Sequence, residues 1–139
     1  MKISTKGRYA LRLMLDLSLN YSGKYIPLKA IAQRQEISDK YLEQIINTLS
    51  KAGFVESARG AQGGYRLARK PSEYTAGEIL RLAEGSIAPV ACLDCAGSCD
   101  KTDTCLTIGL WRRMQEAIND VVDKTTLEDM INEYRGRQR

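Results

Sequence analysis

Residues 54–68, FVESARGAQGGYRLA, confine the fold more than any other stretch of the chain. Two short strand-like runs, 54–57 and 65–68, flank a turn containing Gly60, Gly63 and Gly64. That pattern reads as a hairpin with a loop longer than two residues. Everything before it reads as helix. Tyr9, Leu13 and Leu17, with Ala10 and Met14, recur at helical spacing over 4–20, and YSG at 21–23 ends the run. A short second helix follows Pro27, carried by Leu28, Ile31 and Ala32. Ser38 is a good N-cap for a third, Asp39–Lys51, whose inner face is Leu42, Ile45, Ile46 and Leu49, and Gly53 closes it.

Beyond the hairpin, Thr75, Ala76, Gly77 and Glu78 form a capping box that opens a helix running to about residue 84. Pro89 and Gly97 argue against helix in 85–105, which reads as an irregular loop. A long helix then runs from Leu106 to about Lys124, a cap at 126–129 starts a last short helix, and RGRQR reads as a frayed tail. The long helix carries a broad apolar stripe: Leu110, Trp111, Met114, Ala117, Ile118, Val121 and Val122. A head of 84 residues with its own core leaves part of that stripe bare. A second copy of the chain is the expected cover, giving a homodimer through the 106–124 helix; packing back on its own domain is the other possibility. The expected architecture is therefore mainly α with a small β-hairpin wing. It divides into a winged helix-turn-helix head at 1–84, a cysteine-rich loop at 85–105, and a dimerisation helix with a C-terminal helix at 106–139.

The net charge of +4 hides a split, since residues 1–70 carry 13 Lys and Arg against 5 Asp and Glu, while 71–139 carry 8 against 12. A basic half on an otherwise acidic chain suits contact with nucleic acid. Two short helices, a third helix and a glycine-tipped hairpin follow the order of a winged helix-turn-helix, in which the helix after the turn enters the major groove. On that helix Lys40, Tyr41, Glu43, Gln44 and Asn47 are expected to face outward. Gln44 can pair with adenine and Glu43 can accept from the cytosine amino group. Arg59 and Gly60 at the hairpin tip suit entry into a narrow minor groove. Arg8, Lys2, Lys6, Arg66, Arg69 and Lys70 are expected at phosphates, where they set affinity but not sequence.

All four cysteines lie within 14 positions, CLDCAGSCDKTDTC at 92–105, and the chain has no histidine. No run approaches the roughly 18 apolar residues of a membrane span, and Met1–Lys6 is too charged for a secretory leader. A cytoplasmic location is expected, where thiols stay reduced and clustered cysteines point to a metal more than to a disulfide. Cys92, Cys95, Cys99 and Cys105 give four sulfur ligands. They suit an iron–sulfur cluster or a structural zinc site held by all four thiolates, and a regulatory disulfide is a third use.

The stretches KGRYALRLMLDLSLN, PLKAIAQRQEISDKYLEQI, LSKAGFVES with RG and GGYRLA, and CLT with GLWRRM carry a family resemblance. The chain resembles the winged-helix transcriptional regulators that include IscR, NsrR and CymR, over nearly its whole length. The resemblance implies a homodimeric regulator on a near-palindromic double-stranded DNA operator. It implies DNA contacts at Tyr41, Gln44 and Arg59, and at Glu43 a role in discriminating operator classes. KGRY at 6–9 matches the IscR-like branch, whereas the nitric-oxide-responsive branch has an acidic ligand near Arg8. IscR-like members hold a [2Fe–2S] cluster on three cysteines and a histidine three residues after the last. Here Cys92, Cys99 and Cys105 match, and Ile108 stands at the histidine position. Cys95 is the economical fourth ligand; Asp94, Asp100, Asp103 or a group from the dimer partner are the alternatives. Genes of iron–sulfur assembly are the expected target and cysteine metabolism the second. SIAPV and TTLEDM are similar to the CymR branch, whose members generally lack the cysteine array.

A function of another class, an iron–sulfur electron carrier, would account for the cysteines but leave YLEQ, the RG and GGY wing motif and the basic head unused. No catalytic constellation is present: with no histidine there is no convincing nucleophile–base pair.

Overall fold

The computed structural model describes residues 2–94 and 104–138. Helices α1 (Thr5–Leu19), α2 (Leu28–Gln35) and α3 (Asp39–Lys51) precede strands β1 (Val55–Ala58) and β2 (Gly64–Leu67), followed by α4 (Ala76–Glu84), α5 (Ile108–Lys124) and α6 (Leu127–Arg137). Short 3-10 turns occupy Pro71–Glu73 and Ala91–Leu93. The fold is thus mainly helical with a two-stranded antiparallel wing, as its sequence implies.

The local signals explain most element ends. Ser38 Oγ accepts from the Tyr41 amide and starts α3, and Gly53 leaves that helix at φ +78°. Thr75 and Glu78 form the reciprocal capping box of α4, and Thr126 and Asp129 form another at α6. In the hairpin Val55 pairs with Leu67 and Ala58 with Gly64, so both strands sit about a residue away from the runs read in the sequence. Ile26 pairs with the other edge of β2 by exchanging both backbone hydrogen bonds with Tyr65, each 2.8 Å. This contact requires glycine at 64: its φ is +142°, and a Cβ there would fall 2.2 Å from the Ile26 carbonyl oxygen.

One core serves the described chain. Leu13, Met14 and Leu17 of α1 meet Ile31, the inner face of α3, Val55 and Leu67 of the wing, Tyr74, and Ile79 of α4. Tyr74 is fully buried, yet its hydroxyl is satisfied: it donates to the Phe54 carbonyl at 2.6 Å and accepts from the Arg69 amide at 2.9 Å. That pair of bonds ties the hairpin base to the entry of α4.

The structure departs from the sequence reading at the C-terminus. The last helix is not short, and the expected frayed tail is helical through Arg137. Leu127 is 0% exposed within the same cluster as Leu13, so α6 closes the head's core instead of belonging with α5 alone. The Leu127 amide donates to the Tyr74 carbonyl, and the Ala76 amide to the Thr125 carbonyl, fixing α6 against α4. The loop at 85–105 also contains the 3-10 turn at Ala91–Leu93, after Pro89.

A buried ion pair joins α1 to α2. Asp16 is 2% exposed and takes Arg34 Nη2 at 2.7 Å, Arg34 Nε at 3.0 Å and Gln35 Nε2 at 3.0 Å. Removing the carboxylate would strand Gln35, whereas Arg34, partly exposed, can turn to water. Asp16→Ala is therefore expected to cost about 1–3 kcal/mol, toward the lower side for a broken buried pair. Urea unfolding of both proteins checks this; a difference below about 0.5 kcal/mol, the range of an ordinary surface change, would show the network to be idle.

Candidate nucleic-acid interface and cysteine loop

The amphipathic character of α3 divides its residues cleanly. Leu42, Ile45, Ile46 and Leu49 are buried, while Lys40, Glu43, Gln44 and Asn47 are exposed. Tyr41 is different: it is half-buried, and its ring meets Tyr9 edge to face at 5.6 Å between centroids. Arg12 stands over the other ring of that pair, 5.1 Å from the Tyr9 centroid. The contact brings the first turns of α1 and α3 together, with Arg8 exposed beside Tyr9 and Lys40 exposed beside Tyr41. Arg8 Nη2 bonds within its own turn to Thr5 Oγ1, at 3.1 Å.

Arg59 and Gly60 are exposed at the hairpin tip, where Gly60 has φ +103° and its carbonyl accepts from the Gly63 amide. Two arginines expected at phosphates are committed inside the domain. Arg66 bonds Glu56 at 2.9 Å and the Gly23 carbonyl at 2.8 Å, and lies 4.4 Å from the Tyr25 centroid. Arg69 bonds the Glu73 carbonyl, pairs with Glu78 at 3.5 Å and stacks 4.2 Å from the Tyr74 centroid. Both act as braces, Arg66 between the wing and the α1–α2 turn, Arg69 between the wing and α4. Positive charge alone marked them in the sequence; the Gly23 carbonyl and Tyr25 ring reach Arg66 from a distant segment, whereas Arg69 finds Glu73, Tyr74 and Glu78 within nine residues.

Cys92 lies in the 3-10 turn at Ala91–Leu93 and Cys105 just before α5; both are half-buried free thiols. Thr107 organises the second of them. Its hydroxyl oxygen accepts from Trp111 Nε1 at 3.1 Å, and the same hydroxyl shares a hydrogen bond with Cys105 Sγ, 3.3 Å away. That hydrogen bond, with the backbone amides of Thr107 and Ile108, holds the Cys105 thiol below its ordinary range. Ile108, at the position where the resemblance would have a histidine, opens α5 and contributes backbone only. Cys95, Cys99, Asp100 and Asp103 lie outside the described residues. Among the described residues no group of three metal-ligating side chains comes together. Asp94 accepts from the Ser86 hydroxyl.

The loop is framed by α4 and α5, which Arg81 clamps together. Its guanidinium bonds both Asp123 oxygens and Asn119 Oδ1, and this keeps the Asp123 carboxyl below the usual carboxylate range. Sequence reasoning missed this clamp, and it missed Thr107 and Glu84. The only local hint at Glu84 was an isolated glycine, Gly7, inside an otherwise helical pattern, a sign of close approach. No helix among the described residues is long and apolar enough to cross a membrane.

The Rrf2 family, described as an iron-dependent transcriptional regulator, matches residues 3–133. The HTH-type transcriptional regulator CymR of Bacillus subtilis (strain 168) is 43% identical over 138 residues, covering 99% of this chain and 95% of the relative. Its solved structure, titled the global cysteine regulator of that organism, superposes with a TM-score of 0.80 at 41% identity, covering 96% of this chain and 98% of that one. The HTH-type transcriptional regulator IscR of Klebsiella pneumoniae (strain 342) is 39% identical, over 99% of this chain and 87% of the relative. The structure of T. potens IscR superposes with a TM-score of 0.79 at 38% identity, over 100% of this chain and 92% of that one.

Proposed function

The chain belongs to the Rrf2 family of transcriptional regulators, and within it we propose an iron–sulfur-cluster-sensing, sequence-specific regulator of iron–sulfur biogenesis genes. As a transcriptional regulator it is not an enzyme. It acts in the cytoplasm as a homodimer through α5, with Gln44 and Glu43 reading base edges, Tyr41 at the rim of that surface, Arg59 and Gly60 in the minor groove, and Arg8 and Lys40 at phosphates. Cys92, Cys95, Cys99 and Cys105 hold a [2Fe–2S] cluster, which when bound supplies an iron- and redox-responsive group.

The observation that carries this reading is the donor set, four cysteines in 14 residues on a chain with no histidine. The described part of that set fits the group. Cys92 and Cys105 are unpaired, partly accessible thiols, and the second is biased toward the thiolate that iron binds. The residues around Cys105 supply that bias and orient its sulfur, whatever completes the site.

A second reading, control of cysteine metabolism without a cluster, is favoured by the 43% identity to CymR. It leaves the cysteine array without a role.

The test is an absorption spectrum of protein purified without oxygen, with iron, sulfide and zinc assayed on the same sample. Visible charge-transfer bands with matched iron and sulfide, lost in Cys105→Ser and diminished in Cys95→Ser, are the expected result. One zinc per chain and no colour would replace sensing with a structural brace. Neither metal would favour the second reading.

A further inference from the structure

Glu84 is the last residue of α4, and the cysteine loop begins at the next residue, Gly85, whose φ is +81°. Its carboxylate does not face solvent alone. Oε1 accepts from the Ser4 backbone amide at 3.0 Å and from the Ser4 hydroxyl at 2.6 Å. Ser4 is the N-cap of α1, and its hydroxyl oxygen in turn accepts from the Gly7 amide at 3.3 Å. Gly7 leaves this carboxylate its room: a Cβ at that position would lie 2.1 Å from Glu84 Oε1, and the Glu84 side chain would have to shift. Among the described residues no Lys or Arg forms an ion pair with Glu84, so the carboxylate's role is this joint. It also places negative charge at the positive end of the α1 macrodipole.

The joint has the cysteine loop on one side and the DNA-facing turn of α1 on the other. On the loop side, Ser86 donates to Asp94, two residues from Cys92, and receives the Ala88 amide. On the other side, the Arg8 amide donates to the Ser4 carbonyl at 3.0 Å, and Lys6 and Arg8 lie within the capped turn. Meanwhile Arg81, one turn earlier on α4, holds α5 through Asp123 and Asn119. The body of α4 is thus anchored, and the end that can answer the loop is the end holding α1.

We propose that Glu84 is a positioning residue that transmits the state of the cysteine loop to the first turn of α1. It does so by making or releasing its grip on Ser4, and so sets how firmly Lys6 and Arg8 are presented to the phosphate backbone. The inference rests on the cluster-sensing reading above and adds the route by which sensing reaches DNA.

The experiment uses the full chain and a duplex selected by the wild-type protein from random sequence. Operator Kd is measured with the cluster loaded and removed, together with iron and sulfide content, melting temperature and hydrogen exchange of the segment 2–10. A coupling of the usual size gives a wild-type ratio of loaded to cluster-free Kd of about 5–150-fold in one direction. Glu84→Ala and Glu84→Asp, the latter one methylene too short to reach Ser4, are expected to bring that ratio to within about threefold of unity. Cluster content stays as in wild type, and the difference in exchange over 2–10 disappears. Glu84→Gln, which keeps the accepting oxygen, is expected to retain most of the ratio. Should Glu84→Ala fold poorly, Glu84→Asp carries the test with charge preserved. A wild-type ratio and exchange difference that persist in Glu84→Asp overturn the relay and leave cluster sensing standing. A wild-type ratio of one, or no cluster, overturns both together.

Discussion

Charging the bare side of α5 with Leu110→Glu and Val121→Glu together is expected to give a folded monomer that binds a two-half-site duplex about a hundred- to ten-thousand-fold more weakly than wild type. Leu110 is 46% exposed, Val121 64% and Met114 36%, and α5 contains no fully buried residue. Its contacts with the rest of the chain run mainly to α4, leaving the apolar side unfilled, which is unusual for a surface of this kind unless another chain covers it. A two-fold pair would place two α3 helices at fixed spacing and bind the second half-site at high effective concentration; a monomer would lose that advantage. The two substitutions touch none of the core residues around Leu13 and Leu127, so melting of the head is expected to survive. Light scattering gives the oligomeric state and fluorescence anisotropy the affinity. A wild-type protein that is already monomeric, or a variant that remains a dimer with unchanged binding, sinks the assignment.

Replacing Gln44 by alanine is expected to weaken operator binding nearly as much, with no loss of stability. Gln44 is exposed on α3, and nothing among the described residues holds its side-chain amide, so alanine there removes no fold contact. A bidentate amide–adenine pair contributes about 1–3 kcal/mol of discrimination, and a symmetric dimer makes the contact twice, so the expected loss is about 2–6 kcal/mol. The readout is specific. Repeating the duplex selection with the variant should relax preference at one base pair in each half-site, leaving the others and the salt dependence as they were. A uniform loss across all sequences would instead place Gln44 at a phosphate, and a change under twofold would remove it from the interface.

The contrast between Gln44 and Arg66 shows how far the candidate interface was legible in the sequence. For Gln44 the helical period was enough, since a position opposite Leu42, Ile45 and Leu49 must face solvent in any fold that buries those three. For Arg66 and Arg69 charge suggested phosphates, but their guanidiniums stack on Tyr25 and Tyr74, Arg66 bonding the distant Gly23 carbonyl and Arg69 the Glu73 carbonyl four residues on. Tyr41 falls between the two: its position on α3 was readable, and its edge contact with Tyr9 was not.

What the sequence by itself determined are features whose cause lies within a few residues. Ser38, Thr75 and Thr126 start helices because a hydroxyl can meet an amide three residues on, and the glycines at 53 and 60 turn the chain at positive φ, where a side chain would be strained. The order of helices and hairpin, and the family resemblance built on it, follow from that local grammar. The tertiary structure alone decided where long polar side chains find partners and which late element enters the core. Glu84 reaches Ser4 across 80 positions, Arg81 reaches Asp123 across 42, and Leu127 joins Leu13 under one surface. No spacing rule encodes such meetings, because they depend on the packing of α1, α4 and α6 as whole bodies, driven by apolar area that is indifferent to which charged groups it carries along.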